Sequence, residues 1–356
     1  MKNLFFAAAS LLLITVTSCN KASTSTSSSA SNFDSLITTA LVDFTNNSAI
    51  SGYSKLSANA SILNSAIQTL NATSTDDNLA TAKTAWLNMR QTWEQCEGFL
   101  FGPIEDNDYD PNMDTWPTDY NQMDSLLASS NALEVSDIQN LTLSLRGFHP
   151  IEYLIFGNHG SRKAADLTAR QKKYMISLAT DLTNTCNALY LSWTSAPTNF
   201  AEQVTGAGTS NSKYAKKQDV YMAIVGAMSD ICDEVGASKM KEPFEAKDSF
   251  LVESPYSGNS LTDFKNNIIG AQNVYLGVNG GKGLKDLVAA KNKSLDNTIQ
   301  AQFTAAINSF NNITVVYEEA IFTQRTQVQQ TMDALATLQS TIENQLVPFV
   351  QQNILN

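Results

Sequence analysis

The strongest constraint in the chain is the row Leu79, Ala82, Trp86, Met89, Trp93, Cys96 and Leu100, whose spacings alternate between three and four. Only a helix puts side chains at those offsets on one face, and a seam with that rhythm is what helical bundles pack. The same periodicity recurs. Phe33, Leu36, Ile37, Ala40, Leu41 and Phe44 form one stripe, and Leu56, Ala60, Leu63, Ile67 and Leu70 another. Leu167, Tyr174, Leu178, Leu182, Cys186, Leu189 and Trp193 predict a long helix over 166–193. Shorter helices are expected over 119–130, 136–146 and 150–157, and two long ones over 294–312 and 314–350. No stretch reads as a strand and none repeats. The fold class is all-α, with two packed helical-bundle domains.

The small, polar stretch 194–212, with Pro197, Gly206 and Gly208, sets the boundary between those domains, 33–200 and 213–356. A length of 356 residues suits two cores better than one. A hydrophobic share of 43% excludes wholesale disorder, and a net charge of −11 argues against a nucleic-acid partner. With two histidines, no three-histidine zinc site can form within one chain.

The N-terminus reads as a targeting segment. Met1-Lys2-Asn3 precedes an apolar run from Leu4 to Ile14, too short to span a bilayer as a mature helix. Val16-Thr17-Ser18-Cys19 then resembles a lipobox, so residues 1–18 are read as a lipoprotein signal peptide and Cys19 as the lipidated first residue, anchoring the protein to a membrane. An ordinary secretory signal beside a chance cysteine is the alternative. Residues 19–32, rich in Ser and Thr, are expected to be a flexible tether. Cys96, Cys186 and Cys232 remain, an odd number without a disulfide framework; each falls on an apolar stripe and is expected to be a buried thiol.

Four constellations carry chemistry. In Gly147-Phe148-His149-Pro150-Ile151-Glu152, a histidine and a glutamate three apart share one helix face, where an imidazole and a carboxylate can hold one metal or one proton. Proline disfavours a helical residue before it, so His149 is expected as the N-cap with Pro150 at the first helical position. By spacing alone, a structural helix start explains the motif equally well. Arg90, Glu94 and Glu97 lie on the Trp86–Leu100 helix and, read alone, form a solvated salt-bridged flank. Glu105, Asp106, Asp108, Asp110 and Asp114 begin like a calcium loop, but Pro111 and Pro117 stand where an EF-hand needs Gly and Glu; a solvated loop is expected, with a looser cation site as the alternative. Glu253 to Ser260 could bring hydroxyls and a carboxylate to an interface, though a capping loop is the plainer reading, with Ser260 and Asp263 as a capping box for the next helix.

Together these segments resemble the imelysin family of bacterial envelope proteins. The resemblance rests on GxHxxE (Gly147, His149 and Glu152, within GFHPIEYLIFG), on WLNMRQTWEQCEGFLFGP, on DTWPTD and on ESPYSGNSLTDFKNNIIGAQNVYLG, in that order over about residues 80–280. Pro150 and Cys96 depart from the family's pattern. The resemblance implies two packed bundles with a site at their interface, built from His149 and Glu152 with Arg90, Glu97, Trp116, Glu253 and Ser257. Family members have been classed as metallopeptidases, and others are linked to iron uptake. Iron is the expected metal, with His149, Glu152 and Glu97, and Glu253 across the interface, as candidate ligands, and zinc is the less favoured one. The expected place is the bacterial cell envelope, at the periplasmic face of the outer membrane, with components of an iron-transport system as partners.

Whether the chain is an enzyme stays open at this point. The HExxH pattern of zinc peptidases is absent, since Tyr153 stands where its second histidine would be. His159 lies ten residues beyond His149, roughly 15 Å along a continuous helix. A metal-dependent peptidase is the runner-up to iron acquisition, and a non-catalytic partner-binding lipoprotein is the third reading.

Overall fold

The computed structural model describes residues 24–355. The signal segment 1–18 and the lipidation site Cys19 lie outside the described residues. The first half of the chain runs α1 (Thr24–Asp43), α2 (Ser51–Ala72), α3 (Asp76–Cys96), α4 (Pro103–Asp106), α5 (Tyr109–Asp114), α6 (Tyr120–Ala128), α7 (Val135–Ile138), α8 (Phe148–Phe156), α9 (Ala169–Thr194) and α10 (Phe200–Thr205). The second runs α11 (Lys217–Asp233), α12 (Lys241–Ala246), α13 (Ser260–Leu276), α14 (Leu284–Lys291), α15 (Lys293–Ser309), α16 (Tyr317–Thr323), α17 (Arg325–Thr341) and α18 (Val347–Asn353). Among the described residues there is no strand. No described helix is long and apolar enough to cross a membrane.

In the first half α2 packs along α3 and α9. The α3 seam explains why: Leu79, Ala82, Trp86, Met89, Trp93 and Cys96 are all buried. In the second half α17 packs against α11 and α15. The two cores merge into one buried cluster from Ile37 to Ile354. Their main joint is α3 and the turn Glu97–Phe99 against α13. Two glycines make it that close. A Cβ on Gly98 would lie 2.4 Å from the Ala271 nitrogen, and one on Gly270 would lie 2.3 Å from the Gln95 carbonyl oxygen. Cys96, Cys186 and Cys232 are free and buried, as expected.

The structure corrects several expectations. The stretch read as a tether is helical from Thr24, because extending an amphipathic helix by a turn or two costs far less than nucleating one. The α3 helix stops at Cys96, short of Leu100, where Gly98 meets α13. The helix expected over 136–146 shrinks to α7 and a turn at Leu143–Leu145. Residues 194–212, read as the boundary between domains, contain α10, and α12 lies between α11 and α13. The last helix is broken at Gln324, whose φ of −125° and ψ of 40° are not helical. The α13 N-cap is Asn259 rather than Ser260: the Ser260 hydroxyl instead accepts from the Ser254 N–H at 3.0 Å.

Candidate functional site

Gly147 caps α8 at φ +76°, and a Cβ there would lie 1.9 Å from the Met113 carbonyl oxygen. Glycine is therefore required twice, for the left-handed backbone and for contact with the end of α5. That contact sets the next residues. Phe148 opens the helix, His149 follows, and Pro150 sits third, in the first turn, where a missing N–H leaves no intrahelical bond unmade. His149 is thus inside the helix rather than its cap.

His149 and Glu152 do share one face, with Nδ1 3.6 Å from Glu152 Oε2. The other ring nitrogen, Nε2, lies 3.0 Å from Asp114 Oδ1. Neither ring nitrogen makes a well-aligned hydrogen bond, and Glu152 Oε2 and Glu253 Oε2 are also buried without partners. Glu152 Oε1 is fully occupied: it accepts from the Ser257 hydroxyl at 2.7 Å and from the N–H groups of Ser257 and Tyr256 at 2.8 and 3.1 Å. This carboxylate therefore clamps the 253–258 loop of the second half onto α8 of the first.

Arg90 is the hub. It is fully buried, and its guanidinium pairs with Glu94, with Asp114 and, at 3.0 Å, with Glu253; Asp263 lies 3.8 Å away. The expected solvated flank is therefore wrong. Arg90, Glu94 and Glu97 turn inward because Trp86 and Phe148 offer ring faces to the guanidinium and α13 covers the helix. Asp114 binds on its other side to Trp93, whose indole N–H donates at 2.6 Å. Glu97 accepts from Asn267 and lies 3.4 Å from Lys239 Nζ, which is 3.0 Å from Glu253. Lys239 also sits over the Trp116 ring, 5.4 Å from its centroid.

The seven side chains expected at the site thus join one network across the joint, and Gly147 sets the contact that positions His149. Of the expected ligands only His149 and Glu253 share a triad, however. Glu97 meets the network through Lys239 and Asn267 and groups with neither His149 nor Glu152. Among the described residues, the triads with ligand atoms within 4.8 Å of one another are Asp114–His149–Glu253, Glu94–Glu97–Asp114 and Glu94–Glu253–Asp263. His159 is exposed and belongs to none of them. Sequence reasoning missed Asp114, Lys239, Asp263 and Asn267. Asp114 lay in the acidic run and in the DTWPTD block, Asp263 was read as a cap, Asn267 lay unremarked in the ESPYSGNSLTDFKNNIIGAQNVYLG block, and Lys239 carried no signal. Of the acidic loop, Glu105, Asp106 and Asp108 are indeed exposed, but Asp114 is buried.

The charges decide what the site can do. Six buried carboxyl groups (Glu94, Glu97, Asp114, Glu152, Glu253 and Asp263) face three basic groups (Arg90, Lys239 and His149). Burial opposes the imidazolium, but contact with Asp114 and Glu152 outweighs it and lifts His149 to about 9. Burial also pushes Asp114 up, yet Arg90 and His149 pull it below the usual carboxylate range. Burial raises Glu97 and Asp263 well above that range, with Glu94 adding to both and Lys239 or Arg90 only partly opposing. A buried excess of negative charge must be met by protons or by a cation.

A cavity of about 190 Å³ opens onto the network, lined by Glu97, Asp110, Asp114, Trp116, Glu234 and Lys239 among others. Its four carboxyl groups against one ammonium favour entry of a cation. The donor set of one imidazole and several carboxylates suits iron, manganese or zinc. A cation held by Asp114, His149 and Glu253 shares two of its ligands with Arg90.

The profile of the family described as Imelysin matches residues 49–343. The chain is 29% identical over 316 residues to iron-regulated protein A of Synechococcus elongatus, covering 86% of this chain and 85% of that protein. Its fold is that of a Parabacteroides distasonis protein described as an iron-regulated protein A precursor (TM-score 0.80, 23% identity, 90% of this chain and 95% of that one). It is also that of an imelysin-like protein from Psychrobacter arcticum (TM-score 0.74, 15% identity, 89% and 96%).

Proposed function

The chain belongs to the imelysin family, and from that footing we propose that it is a cation-binding protein of iron acquisition. It takes iron into the buried network around His149. The observation that carries this reading is the Asp114–His149–Glu253 triad, buried and incompletely hydrogen-bonded inside a cluster with more acids than bases. The Synechococcus relative is named for regulation by iron, and iron is the metal we propose here. Iron, when bound, supplies the positive charge that the cluster lacks.

The chain's own residues do the rest. Arg90 and Lys239 hold the acids of both halves at fixed positions. Glu152 locks the 253–258 loop shut over the site. Glu97 and Asp263 release protons as positive charge enters. Lipidation at Cys19 would keep this body at the periplasmic face of the outer membrane, beside components of an iron transporter. Peptide hydrolysis is not part of the proposal, because His159 is exposed and offers no second imidazole at the network.

One observation favours a second reading, in which the network only fastens the two halves: Arg90 already pairs with three carboxylates without any added ion. Elemental analysis of the purified protein and of its His149→Ala form separates the two, after incubation with iron(II), iron(III) and zinc(II). Stoichiometric iron in the wild type and none in the variant supports the proposal. No metal in either protein, with lower stability in the variant, supports the fastening role.

A further inference from the structure

Behind the 253–258 loop lies a second pocket, of about 100 Å³, that the network does not use. Glu318, the second residue of α16, lines it and is 7% exposed. Both of its carboxylate oxygens are buried without a hydrogen-bond partner. An unpaired carboxylate in such a place is costly if charged, and buried polar groups are otherwise nearly all satisfied. The helix dipole does not require it, since the neighbouring Glu319 serves the same N-terminus from the surface. Burial lifts the Glu318 carboxyl to about 7.

The rest of the lining says what would pair with it. Two aromatic residues, Phe250 and Tyr256, and three polar ones, Asn158, His159 and Ser249, also line it. No lysine or arginine lines the pocket. Phe250 is 73% exposed although it is large and apolar. A carboxylate beside aromatic rings is the combination that receives an organic cation: the carboxylate supplies the charge, and the ring faces attract the ammonium and its carbons.

We infer that this pocket binds a primary alkylammonium group, paired with Glu318 and flanked by Phe250 and Tyr256. The pocket has room for such a head group, and its tail leaves past exposed Phe250. A free amine and a lysine side chain of a partner share this chemistry. Occupancy reaches the cation network through Tyr256, whose N–H is one of the three donors to Glu152.

His159 lines the pocket, and with only two histidines in the chain its ring protons can be followed by NMR. The experiment titrates the full protein with n-butylammonium and with Nα-acetyl-lysine amide. Neutral n-butanol and potassium chloride at matched ionic strength are the controls. The expected result is a saturable shift of His159 with the ammonium compounds and none with butanol or potassium. Glu318→Gln should weaken binding at least tenfold. Phe250→Ala, an exposed position whose change leaves the core intact, should weaken it severalfold. Tighter binding of the lysine amide identifies a partner's side chain as the source, and tighter binding of butylammonium a free amine; both support the site. Equal binding of butanol, saturation by potassium, no saturable shift, or unchanged affinity in Glu318→Gln overturns it.

Discussion

His149 Nε2 and Asp114 Oδ1 stand 3.0 Å apart, held there by a glycine whose missing Cβ lets α8 touch the end of α5. This contact turns the family's GxHxxE motif from a pattern into a device. The glycine brings the helices together, the histidine meets an aspartate on another helix, and the glutamate clamps a loop of the other half. Asp114 is as central as any residue of the motif.

The imidazole should therefore titrate late. His149 is lifted from an ordinary 6.5 to about 9 by Asp114 and Glu152. A base whose folded pKa is raised contributes stability that is full below its unfolded value and is lost as pH rises through its folded one. The contribution should be complete below about pH 6.5 and fade through about pH 9, on the order of 3 kcal/mol. Urea unfolding of wild type and His149→Gln at pH 6 and pH 10 checks it: the gap between them should be wide at pH 6 and narrow at pH 10. NMR titration of Asp114→Asn should find His149 well below 9.

Gly147→Ala should lower stability by ~2 kcal/mol or more, since it meets both a positive φ and a backbone oxygen. Gly270→Ala should cost a similar ~1–3 kcal/mol by prying α13 from α3. Denaturant midpoints measure both. Gly226, with nothing near its missing Cβ, is the control, and Gly226→Ala should be neutral or stabilising.

Lys239 pairs with Glu97 and Glu253 in a dry setting. Lys239→Met leaves both acids without that partner and should destabilise the protein by about 3–5 kcal/mol. Adding Glu97→Gln should recover part of the loss, an interaction that a double-mutant cycle reads directly.

Iron binding should release protons, because Glu97 and Asp263 are held well above the ordinary carboxylate range until positive charge arrives. His149, at about 9, must also lose its proton to bind a metal, so affinity should rise with pH toward about 9. Titration calorimetry in buffers of different ionisation enthalpy counts the protons, and a count of zero would remove this part of the account.

The helical class was legible in the sequence because burial imposes period and α3 displays it almost without interruption. Most of the motif residues were legible as a resemblance. What they touch was not. Asp114 stands in an acidic run whose other members are mainly solvated, and local sequence cannot tell which acid turns inward. Arg90 and Glu94 looked like a surface pair, because i,i+4 spacing is the same whether or not another helix covers it. Lys239 lies at the end of the wide turn Glu234–Lys239 that extends α11, and turns of that kind carry no clear sequence signature. Gly98 and Gly270 matter through each other's helices, a long-range relation that period and propensity do not encode.

The most direct test of the central claim is the iron K-edge X-ray absorption spectrum of the iron-loaded protein beside its His149→Ala form. The account predicts a first shell of nitrogen and oxygen with the outer-shell scattering of one imidazole in the wild type, and loss of both that scattering and stoichiometric iron in the variant. An all-oxygen shell that is unchanged in His149→Ala would contradict it and move the iron away from this network.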